Sequence, residues 1–304
     1  MRALAVLAAL ALAPFALEAA GAGWWMQTLA RGLIYAIAAM ALQLVLGRGG
    51  LVCFGFAAFV GIGAYAVGIS YAHGLEEGLL TFPLAMASAA GFAALTGLVA
   101  LRTRGVYFIM ITLAFAQMAY FFATSLSAYG GDDGLTLWNR STLAGRPLVE
   151  DDRAFYWLVL ACAAAVWAGL RALGRSPFGA ALDGARRNEA RMAALGYDAT
   201  AMRLAAYALA GALGGLAGAL LANHAEFVSP AYMSWLRSGE LIVMVVLGGT
   251  ASLTGAAIGA LALVGLEEAL PKLTEHWRII LGLMVLGVAL FLRKGLAGLA
   301  ERGG

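Results

Sequence analysis

Apolar segments long enough to cross a bilayer recur from one end of the sequence to the other, and this constrains the fold more than any other feature. They run at roughly 3–17, 25–46, 51–71, 80–100, 105–126, 154–174, 201–222, 239–250, 253–267 and 277–293. A helix that crosses a bilayer takes about 20 mostly apolar residues. Hydrocarbon offers no water to the backbone, so spanning segments of this kind are helical. The sequence therefore predicts an all-α membrane protein with about ten transmembrane or half-spanning helices. The segments at 239–250 and 253–267 are short and separated by Gly248-Gly249-Thr250. They read either as two short helices or as one broken, re-entrant pair. The whole chain, 1–304, reads as one transmembrane domain, with its longest loops at 127–153 and 175–199.

Composition supports this reading. Apolar residues make up 62% of the chain and charged residues 12%, about half the charged share of a soluble domain. The 40 glycines suit membrane helices, which approach closely through small residues because lipid supplies no hydrophobic drive between them. A net charge of +3 does not suggest nucleic acid. Cys53 and Cys162 sit in apolar runs, and His73, His224 and His276 are scattered. Neither set has the spacing of a metal or redox site, so no metal or cofactor is expected. Met1-Arg2, followed by Ala3 to Ala13 and Pro14, resembles a signal peptide. The many spans that follow favour an uncleaved first helix.

Charge gives an orientation. Arg102, Arg104, Arg171, Arg175, Arg186, Arg187, Arg191, Arg293 and Lys294 fall in alternate loops, which the positive-inside rule places in the cytoplasm. Arg48 falls on the same side. The same count places Glu76-Glu77, Asp132-Asp133, Glu150-Asp151-Asp152 and Glu267-Glu268 outside. Both termini are then cytoplasmic, in a bacterial inner membrane, provided that the Gly248 region counts as two crossings.

The outer loop 127–153 holds Tyr129-Gly-Gly-Asp-Asp-Gly134, either a solvated turn or a surface for a substrate or partner. The inner loop 175–199 has more structure. Ser176-Pro177, followed by Phe178 and Gly179, is a helix start. Ala180 to Leu195 reads as one amphipathic helix that Gly196 ends. Leu182, Ala185, Met192 and Leu195 form its apolar side, while Arg186, Arg187, Asn188, Glu189 and Arg191 face water or a partner. A loop that only fixes topology needs no such face, so this one is read as a docking element.

No catalytic set is present: no Ser-His-Asp arrangement, HExxH, Walker loop or paired carboxylates within a span. The chain is read as a non-enzyme. If it moves solute uphill, its energy comes from an ion gradient or a separate ATPase. Mid-span polar residues reduce to Gln43, Thr112, Gln117 and Glu240. Glu240 reads as an acid complementing a helix N-terminus. This scarcity of titratable groups speaks against an ion-coupled secondary transporter, which is the alternative. Glycines interrupt both halves, at Gly47 to Gly50 running into Gly55, Gly61 and Gly63, and at Gly248, Gly249, Gly255 and Gly259. Breaks in both halves suggest an inverted repeat and a solute path beside them. The path candidates are Gly55, Phe56, Gly61, Gly63, Gln117, Glu240, Gly248, Gly249 and Thr250. For Gly211, Gly214, Gly215 and Gly218, close packing explains the spacing.

Four stretches carry a resemblance: Gly50 to Tyr65, Leu101 to Phe115, Ser176 to Gly196, and Phe227 to Pro230 with Glu240 to Gly255. In this order the chain resembles the LivM-type permease subunits of branched-chain amino acid ABC transporters. The resemblance implies pairing with a second, LivH-like permease subunit, two cytoplasmic ATPases and a periplasmic solute-binding protein. It places Ser176–Gly196 in the ATPase groove as the coupling helix, with Arg187, Glu189, Leu195 and Gly196 passing on ATP-driven closure. The chain departs from the family pattern at Cys53-Phe54-Gly55-Phe56, where Ser-Leu-Gly-His is usual, and at Ala251 and Ala256, where Gly and Pro are usual. Related permeases carry urea, short amides and other small organic solutes.

Overall fold

In the computed structural model, residues 10–11, 13–14, 24–142, 150–291, 295–296 and 298 are described. The predicted first span, 3–17, lies almost wholly outside them, as do Arg293 and Lys294. Eleven helices occur among the described residues: α1 (Trp24–Gln43), α2 (Phe56–Ala72), α3 (Gly78–Ala100), α4 (Val106–Ser125), α5 (Asp152–Arg175), α6 (Pro177–Arg187), α7 (Glu189–Ala194), α8 (Ala199–Ala225), α9 (Trp235–Gly248), α10 (Leu253–Ala269) and α11 (Trp277–Phe291). Six of the helical segments are long and apolar enough to cross a membrane. The only strands among the described residues are β1 (Leu135–Thr136) and β2 (Phe227–Val228), paired antiparallel.

Residue size decides which helices sit inside. α8 is apolar all round, as a buried helix must be. One of its glycine edges, Gly211 and Gly215, rests on Ala85, Ala89 and Ala93 of α3. The next edge, Gly214 and Gly218, rests on Phe59, Val60 and Ala64 of α2. A Cβ on Gly218 would meet the Val60 carbonyl, and one on Gly63 the Gly215 backbone, so these contacts admit only glycine. The alanines of α3 recur every fourth residue and are fully buried, while Leu84, Leu95 and Leu98 on its other side are exposed. α10 and α5 pack on α1 in turn. The apolar stretch of α1 is 78% buried, against 22% for α4.

The connections alternate between two ends of the bundle. Contacts joining Arg48, Gly174, Asp183, Glu189, Arg104, Arg203, Gln43 and Thr250 mark one end. Contacts joining Gln27, Asp152, Arg140, Ser141, Asn223, Arg31 and Glu267 mark the other. Arginines dominate the first end and carboxylates the second, as the charge pattern predicted.

At the second interruption the structure takes the first of the two expected forms, two short helices. Gly248 to Ser252 is a turn between two separate helices, with Gly248 against the Gly255 carbonyl and Gly259 against that of Met244. The chain departs from regular helix instead at 226–234. Val228 lies against Gly68 and Met233 against Gly61, so this segment runs back along α2. The first turns of α9 and α2 then meet: Ala57 N donates to Ser238 Oγ at 3.0 Å. The first interruption is where the glycines placed it. α1 ends in a π-helical turn, Leu44–Arg48, and residues 49–55 precede α2. Phe56 and Phe59 face Gly214, so α2 starts level with the middle of α8.

Candidate functional site

At the arginine-rich end the inner loop folds as a capped unit. Ser176 Oγ accepts from Gly179 N at 3.4 Å, and Pro177 opens α6, as the sequence indicated. The predicted single helix is two. Asn188 takes an extended conformation (φ −155°, ψ 99°), and its Oδ1 accepts from Arg191 N at 2.9 Å. Asn competes for backbone groups and so favours a cap over a helix interior. Gly196, at φ 86°, ends α7 in the left-handed region. Leu182, Ala185 and Met192 are buried as predicted, but Leu195 is 66% exposed. The break at Asn188 turns Leu195 outward, beside the half-exposed Tyr197. Arg186, Arg187, Asn188 and Arg191 are exposed.

Two clamps tie this unit to the membrane helices. Glu189 is held by Arg104 at 2.8 Å, from the turn before α4, and by Arg203 of α8 at 3.0 Å. Arg48, ending the π-helical turn, donates to the Gly174 carbonyl at 3.0 Å and to Asp183 of α6 at 3.2 Å. Just beyond it, Gly50 accommodates the stem of Arg186. Gln43, at the start of the same turn, donates to the Thr250 carbonyl at 3.2 Å. A displacement of α6 thus reaches both α1 and the α9–α10 turn. The sequence reading did not single out Arg203 or Asp183. Arg203 carries a signal in hindsight, as a lone charge inside an otherwise apolar 27-residue helix.

The path candidates do not gather in one place. Gly55 abuts the Thr112 carbonyl, Gly61 the Met233 side chain and Gly63 the Gly215 backbone, and Phe56 is fully buried. Gly248 and Gly249 form the α9–α10 turn, with Thr250 bonded to Gln43. Gln117 is half-buried on α4.

Glu240 lines a cavity. It is the sixth residue of α9, past the first turn, and pairs with Arg237 at 2.7 Å rather than with the helix N-terminus. The cavity, about 730 Å³, lies between α1, α9, α10 and α11, and Arg31, Tyr35 and Glu267 also line it. Arg31 and Glu267 pair at 3.3 Å. Glu267, the last residue of the predicted 253–267 span, lies within α10, which runs on to Ala269. A second cavity, about 540 Å³, lies between α2, α3 and α4. Its lining is almost wholly apolar, with Tyr65 and Ser88 as the polar residues.

The family described as branched-chain amino acid transport system / permease component matches residues 25–289. The chain is similar to the high-affinity branched-chain amino acid transport system permease protein LivM of Escherichia coli (strain K12) and to that of Salmonella typhimurium. Each is 30% identical over 282 residues, covering 84% of this chain and 65% of the relative. The chain thus spans 65% of the length of these relatives. No solved structure matches.

Proposed function

Because the chain belongs to the family of branched-chain amino acid transport system permease components, we propose that it is the membrane-spanning permease subunit of an ABC importer. It carries branched-chain amino acids or related small organic solutes across a bacterial inner membrane by alternating access. It works with a LivH-like second permease, two cytoplasmic ATPases and a periplasmic binding protein. The observation that carries this reading is the capped α6–α7 unit. It presents Arg187, Arg191, Leu195 and Tyr197 to solvent, while Glu189 and Arg48 bind it to α1, α4, α5 and α8. Such a unit receives a push from outside and passes it to the membrane helices. The arginine-rich end is then cytoplasmic, with both termini on that side.

The packing supports an inverted repeat. α1 and α8 are each followed by an irregular segment and a short helix, α2 and α9. α3 packs on α8 while α10 packs on α1, and each short helix pairs with the helix after it. In this arrangement the path runs near the meeting first turns of α2 and α9, past Gly55 and Phe56, and by the cavity at Glu240. The glycines allow the close contacts that helices slide across as access alternates.

The test is ATP-driven uptake and stimulated hydrolysis by the reconstituted complex. Arg187→Glu and Gly196→Trp are expected to abolish both while the complex still assembles. Survival of both activities would refute the coupling role. Uptake that needs no ATPase subunit but collapses with an ionophore would assign the chain to the ion-coupled carriers.

A further inference from the structure

We propose that the cavity between α1, α9, α10 and α11 binds a free α-amino acid with an aliphatic side chain, so that this subunit recognises its cargo directly. The proposal rests on the transport reading above and adds a site to it. Six charged residues line the cavity: Arg31, Arg237, Arg278, Glu240, Glu267 and Glu268. Charges within spanning helices are costly and are kept where they face a cavity or a partner. Three positive and three negative groups favour a zwitterion, since a net anion or cation would leave one charge uncompensated in a site of low dielectric.

The charges pair with each other yet keep capacity to bind. Each arginine has five N–H donors. Arg31 reaches Glu267 through Nη2 and Arg237 reaches Glu240 through Nη1. Arg31 Nε is buried without a hydrogen-bond partner. Donors therefore remain for a carboxylate, and the glutamates retain lone pairs for an ammonium.

Below the charges the wall becomes apolar. Val243 lies one turn further along α9 than Glu240, and Leu263 one turn below Glu267 on α10. Leu281 and Val285 of α11 complete this floor. An amino acid entering side chain first meets carbon at the bottom and opposite charges at the top. The volume, about 730 Å³, falls in the range of small-molecule sites, roughly 300–1,000 Å³. The α2–α4 cavity, similar in size but lined with carbon, shows that a gap between these helices does not by itself recruit charge.

The experiment measures equilibrium binding of tritiated leucine to the complete membrane complex in phosphatidylcholine nanodiscs, without nucleotide or binding protein. Saturable binding is expected, with no competition from isocaproate, which lacks the ammonium, or isoamylamine, which lacks the carboxylate. Arg237→Gln should weaken leucine binding roughly tenfold or more, the effect of losing a charge-assisted hydrogen bond. Val243→Phe should weaken leucine by a similar factor but keep alanine binding, which also shows that the variant is folded. Absence of saturable binding, equal competition by isocaproate, or indifference to both variants would overturn the site. So would loss of leucine binding when phosphatidylethanolamine is added, since that headgroup, unlike phosphatidylcholine, offers a primary ammonium beside its anionic phosphate, as an amino acid offers one beside its carboxylate. ATP-driven uptake is read in parallel. Uptake without binding to the membrane complex overturns the site and leaves the transport reading intact. Binding without ATP-driven uptake of any amino acid keeps the site and overturns the transport reading.

Discussion

One cavity lies between α2, α3 and α4 and the other between α1, α9, α10 and α11, and their walls are opposite in character. The first is walled by Ile62, Phe92, Met118 and Phe122, and its Tyr65 hydroxyl has no hydrogen-bond partner. The second holds two ion pairs. Helix packing leaves a gap in each place, and the side chains then decide what the gap can hold. Hydrocarbon fills an apolar gap at no cost, whereas a charged gap calls for water or a polar solute.

Substitutions can break or sharpen this contrast, read as thermal unfolding of the purified chain in detergent. The largest effect is expected at the contact that supports both halves. Gly218→Leu puts a side chain into the Val60 backbone and should cost more than about 3 kcal/mol or prevent folding. A near-native melting temperature would show that α2 and α8 are not locked together there. Next comes the charged cavity. Glu267→Leu leaves Arg31 without its partner, at about 1–2 kcal/mol, below the figure for a fully buried pair because the Arg31 side chain is 36% exposed. If Glu267→Leu were stabilising, the pair would not be a structural tie. At the coupling unit, Asn188→Ala removes the α7 cap for about 1 kcal/mol, with a larger loss of ATP-coupled uptake than of stability. Unchanged uptake would mean that the break between α6 and α7 has no mechanical role. The smallest effect is expected in the apolar cavity. Tyr65→Phe deletes an unpartnered hydroxyl and should lie within about 0.5 kcal/mol of the parent or slightly above it. A clear loss would reveal a partner for that hydroxyl.

Much of this architecture was legible in the sequence, because spanning helices must be apolar, and apolar length is a one-dimensional signal. The ends of α3, α4 and α5 fall within a few residues of the predicted bounds. Ser176-Pro177 and Gly196 marked the ends of the α6–α7 unit because caps are local chemistry. The break at Asn188 was missed, since an amphipathic pattern is nearly the same across a helix and across two helices in line. The irregular segment at 226–234 was missed for another reason. It holds no glycine and is recognised only by the helix it lies along. The charged cavity was the least visible. Arg31, Glu240 and Glu267 stand far apart in sequence, and their meeting depends on how α1, α9 and α10 pack. Arg31 inside an apolar run was a clue. It could not by itself name its partner.

The central claim is that the two ends of this protein serve different partners. It is tested most directly by photo-crosslinking in the reconstituted complex of purified subunits. A benzophenone amino acid is placed at Leu195, 66% exposed at the arginine-rich end, or at Trp138, 81% exposed in the loop of the acidic end. Position 195 is expected to capture an ATPase subunit and never the solute-binding protein, and position 138 the binding protein and never an ATPase. Capture in the opposite sense, or capture of neither partner from position 195 in a transport-active complex, would contradict it.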